Sequence, residues 1–248
     1  MNIIALIPAR MGSSRFPGKP MAMICGKPMI GHVYDRVSSN EMLSATVVAT
    51  CDKEIFDFVT SIGGRAVMTG SHHERASDRC AEALEIIEMQ DGKKYDIIVM
   101  VQGDEPLTHP MMITESVKPM LEDSSIRVVN LLGKIASLEE FEDRNCIKVV
   151  CDLNGDALYF SREPIPTRSK VDEIPMGKQV CIIPFRRDFL IEYTQLEPTP
   201  LEIAESVDMM RVLENGYKVR MIPTQHSNQS VDTPEDLLKV ELIMAGNS

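Results

Sequence analysis

Residues 2–20 read Asn2-Ile3-Ile4-Ala5-Leu6-Ile7-Pro8-Ala9-Arg10-Met11-Gly12-Ser13-Ser14-Arg15-Phe16-Pro17-Gly18-Lys19-Pro20. The run from Asn2 to Ile7, apolar after its first residue, predicts a strand ended by Pro8. A short continuous apolar run suits a parallel strand buried on both faces. The loop from Pro8 to Pro20 then carries Arg10, Arg15 and Lys19 among Gly12, Ser13, Ser14, Pro17 and Gly18. Small residues let backbone N–H groups approach phosphate oxygens, and the cations neutralise them. The order is not that of a P-loop, since GxxxxGK[ST] is absent. On residue types alone, the loop suits either a structural connection or a phosphate site.

Outward from this stretch the chain alternates. Met29 to Ser38 predicts a helix, with Ile30, Val33, Tyr34 and Val37 at helical spacing. Ala45–Ala49 predicts a strand, Glu54–Ser61 a helix, Ala66–Met68 a short strand, Arg79–Met89 an amphipathic helix and Ile97–Val101 a further strand. Such alternation predicts an α/β fold with a mainly parallel central sheet, whose ligands gather at the carboxyl ends of the strands. The middle of the chain changes character. Ile126–Leu132, Ile147–Cys151, Ala157–Phe160 and Val180–Pro184 predict strands with few helices between them, and Ser161–Gly177 reads as a loop. We expect a single domain over 1–248, with a small lobe or sheet extension at about 120–185, then helices at Pro200–Leu213 and Pro234–Met244.

Composition narrows the function classes. With 248 residues, 44% apolar and 25% charged, the chain is long enough for one large core. A net charge of −11 argues against a broad nucleic-acid surface, which needs clustered Lys and Arg. Cys25, Cys51, Cys80, Cys146, Cys151 and Cys181 form no CxxC pair, and several adjoin apolar runs. That is the usage of buried thiols in a reducing compartment. The apolar start is too short to span a bilayer and lacks a basic leader, so we expect a cytoplasmic protein without membrane insertion.

The loop and four later segments together resemble the sugar-nucleotide cytidylyltransferases, in particular the 3-deoxy-D-manno-octulosonate (Kdo) cytidylyltransferase family. The first loop matches that family's P-A-R-x-x-S-x-R-x-x-x-K signature, and Gly26-Lys27-Pro28-Met29-Ile30 matches its G-K-P-M-I segment. Val101-Gln102-Gly103-Asp104-Glu105-Pro106 matches V-Q-G-D-E-P. Lys148–Val150 with Ala157-Leu158-Tyr159-Phe160-Ser161-Arg162 matches K-V-V and A-L-Y-F-S-R. Val231-Asp232-Thr233-Pro234-Glu235-Asp236-Leu237 matches V-D-T-P-E-D-L. The resemblance implies a nucleotide-diphospho-sugar transferase type of fold. It implies an enzyme of lipopolysaccharide biosynthesis that is homodimeric through the lobe, with CTP and a sugar acid as substrates and Mg²⁺ as cofactor.

It also implies roles for particular residues. Ala9, Arg10, Arg15 and Lys19 would hold the triphosphate, and Asp104 and Asp232 the Mg²⁺. Read without it, Asp104 at a strand end and Asp232 before a helix suit helix capping better than metal binding. Gln102 suits a sugar hydroxyl, whereas Glu105 and Glu235 are expected to face solvent or cap a helix. His72-His73 is expected on a solvated loop. The family's nucleoside segment S-G-T-[ED]-R corresponds to Arg75-Ala76-Ser77-Asp78-Arg79, giving Ser77, Asp78 and Arg79 as substrate-binding candidates. Ala76 replaces the family's glycine, at about 1 kcal/mol if that position needs a positive φ.

The sugar side departs further from the family pattern. Arg162, Gln179, Glu202 and Asp208 are the substrate-binding candidates there. Gln179 stands for the family's His, Ile183 for its Tyr, and Asp208-Met209 for its Glu-Gln pair. Two readings stay open: plain Kdo with these positions drifted, or a related acid such as an amino-Kdo or a nonulosonic, sialic-type acid. A glycosyltransferase would usually carry D-x-D, but Pro106 stands two residues after Asp104. A nucleotide-sensing protein would not need both Asp104 and Asp232.

Overall fold

The strand expected at Asn2–Ile7 forms as β1 (Ile3–Ala9) and is buried at every position. The computed structural model describes residues 1–12, 16–167, 176–226 and 229–246. Its chain divides into two compact units, Met1–Thr114 with Asn228–Ser248, and Glu115–Ser227.

In the first unit β1 is followed by a 3-10 turn at Lys19–Met21 and by a small antiparallel hairpin of β2 (Met23–Ile24) and β3 (Lys27–Pro28). Then come α1 (Met29–Ser38), β4 (Ala45–Thr50), α2 (Lys53–Ser61), β5 (Arg65–Met68), α3 (Ala76–Asp91) and β6 (Ile97–Val101). The strands lie in the order β6-β1-β4-β5, each neighbouring pair parallel. β1 pairs with β6 from Ile3↔Ile97 and with β4 from Ile4↔Ala45, so these strands end at one edge. The continuous burial of β1 and β6 is what a strand covered by helices on both faces requires. α1 buries Ile30, Val33 and Val37 at helical spacing, and α3 ends where Gly92 turns left-handed at φ 64.

α4 (Pro110–Glu122) is not among the elements predicted from the sequence, and Pro119 lies inside it, where proline is disfavoured. Proline at its first position is favourable, since that N–H has no helical partner in any case.

The second unit holds β7 (Val129–Lys134), α5 (Leu138–Glu142), β8 (Lys148–Cys151), β9 (Ala157–Ser161), β10 (Gly177–Val180) and β11 (Ile182–Arg186). It continues with α6 (Arg187–Thr194), α7 (Pro200–Glu205), α8 (Asp208–Glu214) and β12 (Arg220–Pro223). Its sheet has the order β12-β7-β10-β8-β9, antiparallel except for the β12–β7 pair. The unit reaches past the expected lobe on both sides. The strand expected at Val180–Pro184 is two strands that part at Cys181, and the helix expected at Pro200–Leu213 breaks at Ser206, whose φ is 53. Lys148 is fully buried, and its Nζ donates to the carbonyls of Asp143, Cys146 and Arg162 at 2.6–2.7 Å. Burial pulls its pKa down, so these three acceptors are what compensates the buried charge.

α9 (Pro234–Gly246) belongs to the first unit, where Val240 and Val231 pack with Ile24 and Met29.

Candidate active site

The site forms at the carboxyl edge of the first unit's sheet, where β1 and β6 release their loops. Gly103 lies two residues past the end of β6, so close to β1 that a Cβ there would meet the Pro8 carbonyl oxygen at 2.9 Å. Only glycine fits this approach, which brings Asp104 beside the first loop. That loop is closed by the Gly18 N–H, which donates to the Met11 carbonyl at 3.0 Å. Gly18 itself is left-handed at φ 74 and opens the turn that starts with Lys19. The Lys19 Nζ then lies 2.6 Å from Asp104 Oδ2 and 3.5 Å from Asp232 Oδ1.

Asp232 is brought in by backbone. The Val231 N–H donates to the Asp104 carbonyl at 2.9 Å, tying the segment before α9 to the end of β6. The start of α9 is capped by a different pair: Asp236 Oδ2 accepts from the N–H and the hydroxyl of Thr233, and Thr233 Oγ1 accepts from the Asp236 N–H. The Asp232 carboxylate is therefore turned to Lys19 while Thr233 and Asp236 cap the helix. Asp236 was not singled out in the sequence, although T-x-x-D before an apolar run is a capping pattern.

A cleft of about 310 Å³ opens here, and Ala9, Arg10, Lys19, Arg79, Gln102 and Asp104 line it. Arg79 is only 2% exposed; its Nη1 donates to Thr69 Oγ1 at 2.5 Å and to the Gly70 carbonyl at 3.2 Å. Its buried Nη2 has no hydrogen-bond partner among the described residues. Ser77 and Asp78 sit in the first turn of α3, with Ser77 fully buried. Ala76 is the first residue of that helix and is absent from the positive-φ residues described, so its methyl carries no left-handed strain. Arg15 lies outside the described residues.

Two expectations are corrected here. His73 does not sit free on a solvated loop: its ring meets the Glu82 carboxylate, and its carbonyl accepts from Arg10 Nη1 at 3.4 Å. Burial works to raise the Glu82 carboxyl, but hydrogen bonds from the Gly70 N–H and His73 outweigh it and its pKa is lowered. Glu105 does not face solvent either, being 4% exposed.

The sugar-side candidates all lie in the second unit. Both Glu202 oxygens accept from Arg211 at 2.7 Å, and the Glu202 side chain is fully buried, which leaves no exposed carboxylate for a sugar. The Arg162 guanidinium donates to the carbonyls of Glu205, Arg144 and Ser206. Gln179 Nε2 donates to Asn130 Oδ1 at 2.7 Å. Asp208 opens α8, and its carbonyl accepts from the Tyr193 hydroxyl. Ile183 and Met209 are 3% and 0% exposed, so both are core residues and not bare walls facing a hydroxyl.

The arrangement can neutralise a polyphosphate. Arg10, Lys19 and Arg79 offer cations and donors on one cleft, and two carboxylates converge on a single cation position. No cluster of three or more His, Cys, Asp or Glu forms among the described residues. Asp104 and Asp232 still fit Mg²⁺, which takes one or two protein carboxylates and completes its shell with water and substrate oxygens.

The chain as a whole is similar to known proteins. A family profile described as cytidylyltransferase matches residues 4–222. A 3-deoxy-manno-octulosonate cytidylyltransferase of Geobacter metallireducens is 45% identical, the match covering 97% of this chain and 96% of that protein. A structure of CMP:2-keto-3-deoxy-manno-octonic acid synthetase complexed with CTP superposes with a TM-score of 0.89 at 36% identity, over 100% of both chains. A cytidylyltransferase structure from Leptospira borgpetersenii is similar in fold, with a TM-score of 0.64 at 18% identity over 99% of this chain and 87% of that one. The chain belongs to the cytidylyltransferase family.

Proposed function

We propose that the protein transfers CMP from CTP to the anomeric hydroxyl of Kdo and releases pyrophosphate. The observation that carries this reading is Lys19 set against Asp104 and Asp232 at the edge of a cleft that Arg10 and Arg79 also line. The hydroxyl oxygen loses its proton to solvent and bonds to the α-phosphorus while the bond to the bridging α–β oxygen breaks and pyrophosphate leaves. Phosphoryl-type transfer asks mainly for positioning and charge neutralisation, so no covalent nucleophile is needed. Arg10 and Lys19 hold the triphosphate, and the unpartnered Nη2 of Arg79 donates to the nucleotide. Asp104 and Asp232 would hold Mg²⁺, which would offset charge on the α-phosphate and lower the pKa of the attacking hydroxyl. Lys19 marks the cation position that these carboxylates share.

Kdo is preferred over an amino-Kdo or a sialic-type acid because the departures at Ile183 and Met209 fall in the core and Gln179 is held by Asn130. Relatives bearing the Kdo name match over nearly the full chain. The test is pyrophosphate release with CTP and Mg²⁺ against a panel of 2-keto-3-deoxy acids. Kdo should give the highest kcat/KM, and replacing CTP by UTP or ATP should abolish turnover. A clear preference for another acid would move the protein to that substrate.

The proposed setting is a cytoplasmic homodimer. Among the described residues no helix is long and apolar enough to cross a membrane, and none of the six cysteines is joined in a disulfide. The exposed Leu153 and Leu158 of the second unit supply apolar surface that self-association would cover.

A further inference from the structure

We infer that Asp52 is a positioning residue for nucleotide binding: its carboxylate holds the Met11 peptide from which the phosphate loop is hung. This rests on the cytidylyltransferase reading above. β1 and β4 are adjacent and parallel with Ala9 opposite Thr50, so Met11 and Asp52 leave the sheet side by side, each two residues past the paired ends. The Met11 N–H donates to Asp52 Oδ2 at 2.8 Å, while the Met11 carbonyl accepts from the Gly18 N–H at 3.0 Å. One residue is thus pinned through both peptide groups that flank it, and the loop begins and ends on it. The next residue after Gly18 is Lys19, which reaches Asp104 and Asp232.

Asp52 occupies a place where a different job is expected of it. It immediately precedes α2 with extended backbone, φ −107 and ψ 120, the position at which an aspartate normally accepts from the first turn of its own helix. No side-chain cap bond forms there. The carboxylate is spent on Met11 instead, with Cys51 Sγ 3.6 Å from the same oxygen. Its own backbone is anchored, since the Asp52 N–H donates at 3.1 Å to the hydroxyl of fully buried Thr50. A negative group at the foot of a loop that carries Arg10 and Lys19 has the wrong sign for direct contact with phosphate. Its effect on the nucleotide therefore runs through the backbone it holds.

The test separates positioning from capping. Asp52→Ser keeps a good capping residue for α2 but is too short to hold Met11, whereas Asp52→Asn keeps the acceptor and loses the charge. CTP binding is measured by calorimetry with Mg²⁺, beside steady-state KM for CTP and Kdo and thermal unfolding. Asp52→Ser should unfold at the wild-type temperature yet bind CTP about tenfold more weakly, the scale of one lost charge-assisted hydrogen bond. Its KM for Kdo should stay within about twofold, and Asp52→Asn should recover most of the CTP affinity. Wild-type CTP affinity in Asp52→Ser would overturn the inference, as would an equal rise in both KM values with a lowered unfolding temperature. If the wild type itself fails to bind CTP, the functional reading falls first, and the two failures are told apart.

Discussion

The ammonium of Lys19 lies 2.6 Å from Asp104 Oδ2, joining two residues 85 positions apart across the ends of β1 and β6. With Asp232 Oδ1 3.5 Å from the same nitrogen, each carboxylate is defined by a shared cation and not by its own helix. Asp104→Asn and Asp232→Asn should each lower turnover by about 100-fold or more while leaving the unfolding temperature nearly unchanged, because each removes charge from the proposed metal position. Chelation of Mg²⁺ should abolish turnover in the wild type. Near-normal turnover in Asp232→Asn would return that residue to a purely local role.

Gly103 gives a steric prediction. Its absent Cβ would lie 2.9 Å from the Pro8 carbonyl oxygen, and that oxygen belongs to the buried strand β1, which has little room to shift. Gly103→Ala should destabilise by about 1–3 kcal/mol, lowering the unfolding temperature by roughly 2–10 °C, and should cut turnover by displacing Asp104. An unchanged melting curve would mean that the two strand ends are less closely held than found.

Glu202 and Arg211 form a buried pair whose oxygens and nitrogens meet at 2.7 Å. Removing one partner of such a pair strands the other, so Glu202→Gln should cost about 3–5 kcal/mol, and a double replacement by leucines should recover part of it. Denaturant unfolding of the three proteins measures this directly. Should Glu202→Gln raise the KM for Kdo without a stability loss, the carboxylate would be a sugar contact after all.

Asp156 sets a pH dependence. Burial pushes its carboxyl up, but hydrogen bonds from Arg220 at 2.7 Å and Lys218 at 2.9 Å outweigh it, leaving the pKa below the ordinary 3.8. A carboxyl whose folded pKa is depressed adds stability above its unfolded pKa and loses it as pH falls through the folded value. Asp156→Asn should therefore be less stable than wild type at pH 7, with the gap closing as pH drops from about 5 toward 2. A gap that stays constant over that range would assign the loss to packing.

What the sequence determined alone was whatever local pattern encodes. The apolar runs of β1 and β6 and the helical spacing of α1 placed these elements to within about a residue or two, because burial on a strand or helix imposes its period on neighbours in the chain. The types of the site residues were legible too, since a basic loop and an acidic strand end stand out among apolar neighbours. Tertiary structure alone decided which of them meet. That Lys19 bridges Asp104 and Asp232, that Asp52 serves Met11 instead of α2, and that Glu202 faces Arg211 depend on strand order and on packing between distant segments. The same holds for Ile183 and Met209, which the family pattern suggested for a sugar wall and which packing drew into the core. A carboxylate or a methyl group carries the same chemistry wherever it stands in the chain, and only the neighbours that folding supplies determine whether it binds, caps or fills space.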